Sequence, residues 1–139
     1  MNREILFKAK RKDNGEWVDG YYRADTDLDI HFICGWNYYL SENGLEREPF
    51  EYEIDPDTLC QYTGLTDKNG KKIWENDICE MVYNGVVYVY VVVWDKTELD
   101  FKGTNGKENY GRNFEYLGCC EEIEVIGNIF DYPELLEVE

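Results

Sequence analysis

One histidine, His31, stands in 139 residues, and that scarcity removes most of the ways a protein assembles a hydrolytic or zinc site. A nucleophile needs a base within reach and a third group to orient that base, and imidazole is the usual base. No two cysteines have Cys-x-x-Cys spacing, so the Cys/His zinc sets have no framework here. The five cysteines, Cys34, Cys60, Cys79, Cys119 and Cys120, are odd in number and irregularly placed, unlike the bridges of secreted disulfide-rich domains. A reducing compartment is expected, with Cys34, Cys60 and Cys79 as small buried hydrophobes. The vicinal Cys119-Cys120 pair is followed by Glu121 and Glu122, which provide no positive field to make a reactive thiolate. Gly103-Thr104-Asn105-Gly106 lacks the lysine and the strand-loop-helix setting of a phosphate cradle. No run approaches the ~20 apolar residues that span a bilayer, and Met1-Asn2-Arg3-Glu4 leads into a strand-like segment instead of an apolar signal core. Basic residues are also few: 14 Lys and Arg against 30 Asp and Glu leave a net charge of -16, a field that repels nucleic acid and anionic membrane alike. The expectation is a protein with no catalytic set, no cofactor, no metal site, no direct nucleic-acid binding and no membrane association.

Aromatic residues are abundant. Four Trp, twelve Tyr and six Phe bury large areas per residue, so the chain should fold. Ile5, Phe7 and Ala9 alternate with Leu6, Lys8 and Lys10, the period of a half-buried strand, and Asp13-Asn14-Gly15 supplies hairpin chemistry before a return strand from Trp17 to Tyr22, with Gly20 as a bulge. A third strand is expected at Leu28 to Cys34 and a fourth at Trp36 to Leu40, ahead of a loop at Ser41-Glu42-Asn43-Gly44. Pro56 cannot donate to a ladder, and the turn formers around Asp55 place a boundary between a region 1–55 and a region 56–139. In the second region Asn84-Gly85, between Ile78 to Tyr83 and Val86 to Trp94, is the strongest short-range hairpin signal in the chain. The segment Thr97 to Arg112 reads as a long polar loop, Ile123 to Phe130 as the last strand, and Pro133 as the start of one terminal turn.

The uncharged arm Val86 to Trp94 puts Val87, Val89, Val91 and Val93 on one face and Val86, Tyr88, Tyr90, Val92 and Trp94 on the other, with both faces expected to be covered. Tyr88, Tyr90 and Trp94 are its candidate interface, since such rings are enriched where subunits meet. His31, in Asp29-Ile30-His31-Phe32-Ile33, reads as a structural residue. Asp25-Thr26-Asp27-Leu28-Asp29 resembles a hard-cation loop, but Ile30 stands where the turn glycine belongs and Trp36 where the bidentate Glu belongs. It reads as a solvated loop.

The run from Cys60 to Ile78, Cys-Gln-Tyr-Thr-Gly-Leu-Thr-Asp-Lys-Asn-Gly-Lys-Lys-Ile-Trp-Glu-Asn-Asp-Ile, resembles the central signature of the YopX family of bacteriophage and prophage proteins. Arg3 to Ala9 resembles the family's first strand, and Glu124 to Phe130 with Pro133 to Leu136 its closing strand and tail. Asn76 departs from the usual glycine but tolerates the same left-handed backbone. The resemblance implies a mostly β fold, a small N-terminal antiparallel sheet followed by an SH3-like β-barrel half that opens at Asp77-Ile78. It also implies a phage protein acting in the bacterial cytoplasm, and it implies no activity. Gln61, Tyr62, Thr63 and Asp77 are the candidate binding groove or domain junction, with Asp77 capping the strand entry. The leading functional expectation is a non-catalytic accessory protein that self-associates into a homo-oligomer and engages a host or phage protein. Two other classes compete with it: an acidic decoy that imitates DNA and occupies a DNA-binding protein, and a hydrolase using a carboxylate pair.

Overall fold

A computed structural model describes residues 5–96, 99–104, 114–117 and 120–136, and these are mostly β, as expected. The chain packs as two units, Met1–Gln61 and Tyr62–Glu139.

In the first unit β1 (Phe7–Lys10), β2 (Trp17–Asp25), β3 (Ile30–Ser41) and β4 (Gly44–Glu53) form an antiparallel sheet in the order β4-β3-β2-β1. Cys60 and Gln61, the first residues of β5 (Cys60–Thr66), pair with Lys8 and Phe7. The hairpin at Asp13-Asn14-Gly15 forms as read, with Gly15 at φ 73°, a value that glycine adopts without a Cβ penalty. One expectation needs correction, and one strand went unread. The proposed third and fourth strands are one continuous strand, β3, because Gly35 carries the backbone through without a break. The glutamate-rich segment after the Ser41–Gly44 turn is itself a strand, β4, matched to β3 from Phe32↔Glu53 to Ser41↔Gly44. It escapes a hydropathy reading because it lies at the sheet edge with water on one side. The core is small: Ala9, Ile33 and Ile54, with Phe7, Val18, Tyr22, Phe50 and Leu59 packed round them.

Alternation along β3 fixes which backbone groups face which neighbour. The His31 carbonyl accepts the Ile54 N–H at 2.9 Å on the β4 side, so Ile33, Gly35, Asn37 and Tyr39 also turn towards β4. Pro49, opposite Trp36, therefore has its ring nitrogen on the outer edge, where no donor is needed.

The second unit holds the remainder of β5, from Tyr62, with β6 (Lys72–Trp74), and a five-stranded sheet in the order β10-β9-β8-β7-β11. Its strands are β7 (Asp77–Tyr83), β8 (Val86–Asp95), β9 (Asp100–Thr104), β10 (Phe114–Tyr116) and β11 (Glu122–Asn128). Asn84 and Gly85, at φ 50° and 77°, make the primed turn that the sequence predicts. The barrel is corrected: β10 and β11 are the two ends of an open sheet that does not close on itself. Ile73, Cys79, Met81, Tyr83, Tyr90, Val92, Phe101 and Leu117 form its core. The closing 3-10 turn Pro133–Leu136 packs so near β11 that a Cβ on Gly127 would lie 2.9 Å from Leu135.

The polar loop expected over Thr97 to Arg112 is also corrected in part. Asp100–Thr104 is a strand, with Phe101, Lys102 and Thr104 buried. Lys102 is only 2% exposed and its ammonium donates to Asp95 at 2.7 Å, so a charged residue enters the interior with its partner beside it. Residues 105–113 and Cys119 lie outside the described residues.

Candidate functional site

Two of the sequence-predicted groove residues, Thr63 and Asp77, are buried with their side-chain oxygens hydrogen-bonded. Thr63 is buried, and its hydroxyl donates to the Ile73 carbonyl at 2.8 Å and accepts the Leu65 N–H at 3.2 Å. Tyr62 is buried with its ring 5.5 Å from Trp74, and Lys72 lies over its face at 5.6 Å. Asp77 is buried at the entry to β7 and accepts the Trp74 N–H at 2.8 Å, which is the capping role read from sequence. Gln61 is half-buried in β5, paired with Phe7 across the ladder.

Asp67 was not singled out by the sequence reading, yet it organises this signature. Its Oδ1 accepts the N–H groups of Asn69 and Lys71, both at 2.9 Å, and its Oδ2 accepts that of Val125 at 3.0 Å. Burial by itself raises a carboxyl pKa, but these backbone donors and the Lys71 charge outweigh it and hold Asp67 below the ordinary carboxylate range. An Asp two residues before Asn-Gly is the signal that would have found it.

The candidate interface on β8 divides. Tyr88 and Trp94 are 37% and 41% exposed, whereas Tyr90 is only 8% exposed and stacks on Tyr88 at 5.3 Å. The expected cover on both faces is present only at Tyr90, Val91 and Val92; Val86, Val87 and Val89 are exposed near the hairpin tip.

His31 is held between two partners. Its Nδ1 lies 2.6 Å from the Tyr22 hydroxyl and its Nε2 2.8 Å from Asp29 Oδ1, so both ring nitrogens have hydrogen-bond partners. The nearby Asp25 spends its Oδ1 on the Asp27 and Leu28 N–H groups, so this run is a capped turn. No group of three or more His, Cys, Asp or Glu able to hold a metal occurs among the described residues. Cys79 is buried, and burial together with the charges of Asp77 and Asp67 pushes its thiol pKa up, away from reactivity.

An open, ring-rich surface lies on the first unit, and the sequence reading did not find it. β2 pairs with β3 only from Asp25↔Ile30 to Tyr21↔Cys34. At Gly20 the two backbones come so close that a Cβ would lie 2.5 Å from the Cys34 carbonyl oxygen. Beyond that point β2 continues against β1 while β3 and β4 run on as a projecting hairpin. The split leaves an open cleft of about 470 Å³ lined by Trp17, Asp19, Tyr21, Trp36, Tyr38 and Phe50, among others. Trp36, Tyr38 and Leu40 lie on one face of the hairpin at 44%, 63% and 83% exposure. The Arg47 guanidinium lies 3.9 Å from the Trp36 ring centre, and Arg23, bonded to Glu51 at 2.7 Å, lies 4.4 Å from that of Phe32. Such stacking fixes the rings in place without covering them. The surface has no nucleophile-base pair of its own; what it offers is apolar area and an uncovered strand edge.

The sequence model of the family described as YopX protein matches residues 6–137. No curated protein matches the chain. Among solved structures, the crystal structure of protein EF1440 from Enterococcus faecalis is similar with a TM-score of 0.60 and 21% identity, over 97% of this chain and 99% of that one. At this identity the likeness is one of fold.

Proposed function

The chain belongs to the YopX family, and from that premise we propose that it is a non-catalytic accessory protein of a phage or prophage, holding another protein in the bacterial cytoplasm. The observation that carries this reading is the β3–β4 hairpin, where Trp36, Tyr38 and Leu40 stand exposed on one sheet face. Clustered aromatic anchors of this type dominate binding energy at protein interfaces, and large exposed apolar patches are uncommon on monomers. The residues opposite Trp36, Tyr38 and Leu40 on β4 are Pro49, Arg47 and Leu45, so this face carries no row of carboxylates and suits protein recognition better than imitation of a phosphate backbone.

The test is affinity capture of the tagged full-length chain from an infected or induced host lysate, at low and high salt. Wild type is expected to retain a partner that Trp36→Ser combined with Tyr38→Ser loses, with the melting temperature of the variant unchanged. Equal capture by both proteins would overturn the assignment to this face. Self-association is a second reading, and the exposed Val86, Val87 and Val89 at the β7–β8 tip favour it. Sedimentation showing a monomer at all concentrations would remove it.

A further inference from the structure

We infer that the partner is taken up as an extended, basic peptide segment that adds to β3 as a new strand along its open edge. The inference rests on the protein-binding reading and specifies how that face binds. Because Ile33, Gly35, Asn37 and Tyr39 spend their backbone groups on β4, the intervening residues Trp36, Tyr38 and Leu40 direct N–H and C=O away from it. The β2 ladder ends at Tyr21↔Cys34, so these outward groups have no strand partner among the described residues. An uncovered edge of this length is a template for pairing with another chain. The same three residues present the exposed side chains of that face, so one added strand satisfies the backbone donors and places its alternate side chains beside Trp36 and Tyr38.

Charge sets the chemistry of the occupant. Glu46 and Glu48 lie across the ladder from Tyr39 and Asn37, so they stand on the hairpin face opposite Trp36, Tyr38 and Leu40, and neither makes an ion pair among the described residues. Arg47 is on the ring face, stacked on Trp36. An incoming strand that sets its apolar residues beside the rings turns the alternate residues to the glutamate face, where Lys or Arg would be attracted and a second copy of a chain with net charge -16 would meet like charge.

The test is amide hydrogen exchange by NMR on the full-length chain, alone and with synthetic ten-residue probes. One probe alternates Val with Lys, and a second alternates Val with Glu. The Val-Lys probe should slow exchange at Trp36, Tyr38 and Leu40 by about tenfold or more, with Asn37 and Tyr39, already bonded to β4, protected in both states. The Val-Glu probe should leave all of them unchanged. Tyr38→Pro removes one edge donor and should abolish binding, while Tyr38→Val keeps that N–H and should still bind, weakened about tenfold by the lost ring contact. If Val-Lys binds without protecting those amides, or if Tyr38→Val and Tyr38→Pro fail alike, strand addition is overturned, while partner capture dependent on Trp36 would leave the broader reading standing. Failure of every peptide overturns it too. So does protection that grows with protein concentration in the absence of peptide, which would make a second copy the occupant. Binding of a single-stranded oligothymidylate at the same amides would assign the edge to nucleic acid and overturn it likewise.

Discussion

Replacing Asp67 by Ala removes one carboxylate and strands three backbone donors, those of Asn69, Lys71 and Val125. Hydrogen bonds to a charged group contribute about 1.5–3 kcal/mol each, so the three at the low end would sum to about 4–5 kcal/mol. Water reduces this at Asn69 and Lys71, which are exposed, and leaves Val125, inside the β11–β7 ladder, as the larger cost. The expected loss is about 2–4 kcal/mol, or roughly 10–20 °C in melting temperature for a unit of this size. Asp67→Asn keeps an acceptor for the turn but turns an amide donor towards Val125 N–H, for a loss of about 1–3 kcal/mol. Urea and thermal melts at pH 7, followed by circular dichroism, measure both. Acid gives an independent check. Because the folded carboxyl titrates below its ordinary value, its contribution is complete above the unfolded pKa of about 3.9 and fades as pH falls through the folded pKa. The gap between wild type and Asp67→Asn should therefore be constant from pH 7 to about 5 and close below about 4. A melting temperature for Asp67→Ala within about 3 °C of wild type, or a gap that widens in acid, would refute the reasoning.

Gly20→Ala sets a Cβ 2.5 Å from the Cys34 carbonyl. That neighbour is backbone and cannot swing aside, so a destabilisation of about 2 kcal/mol or more is expected from the same melts, whereas Gly15→Ala, with no neighbour within 4 Å, should lose only the smaller cost of its positive φ. Asp95→Ala takes the carboxylate from buried Lys102 and should cost about 3–5 kcal/mol, with Lys102→Met combined with Asp95→Ala restoring part of the loss; a double variant no more stable than Asp95→Ala would argue against the pair.

The legible parts of the fold were those written in short-range chemistry. Asn84-Gly85 and Asp13-Asn14-Gly15 specify turns through the φ values they permit, and Asp77 next to a strand entry specifies a cap, so each was readable from a few residues. β9 was not, because Lys102 and Gly103 argue against a buried strand until Asp95 is known to neutralise one and the Met81 and Tyr90 side chains to occupy the space beside the other. The same limit applied to β8: alternation sorted its side chains into two faces but carried no information on how far the covering layer reached, so Val86 to Val89 were read as buried. Trp36, Tyr38 and Leu40 were recognised as a strand, yet their exposure depends on β2 departing from β3 at Gly20, a tertiary event with no local signature. Openness of the second sheet is likewise a matter of how distant strands pair.

The placement of Pro49 has a consequence for stoichiometry. A chain polymerises through its sheet only when each molecule offers two compatible edges, one to receive and one to donate. On this sheet the β4 side lacks a donor at Pro49 and is lined by alternating glutamates, so growth from it is blocked. A segment captured on the β3 side would terminate the structure it joins. On the strand-addition reading, the complex would have a fixed count, one guest to one host, in place of an open-ended fibre.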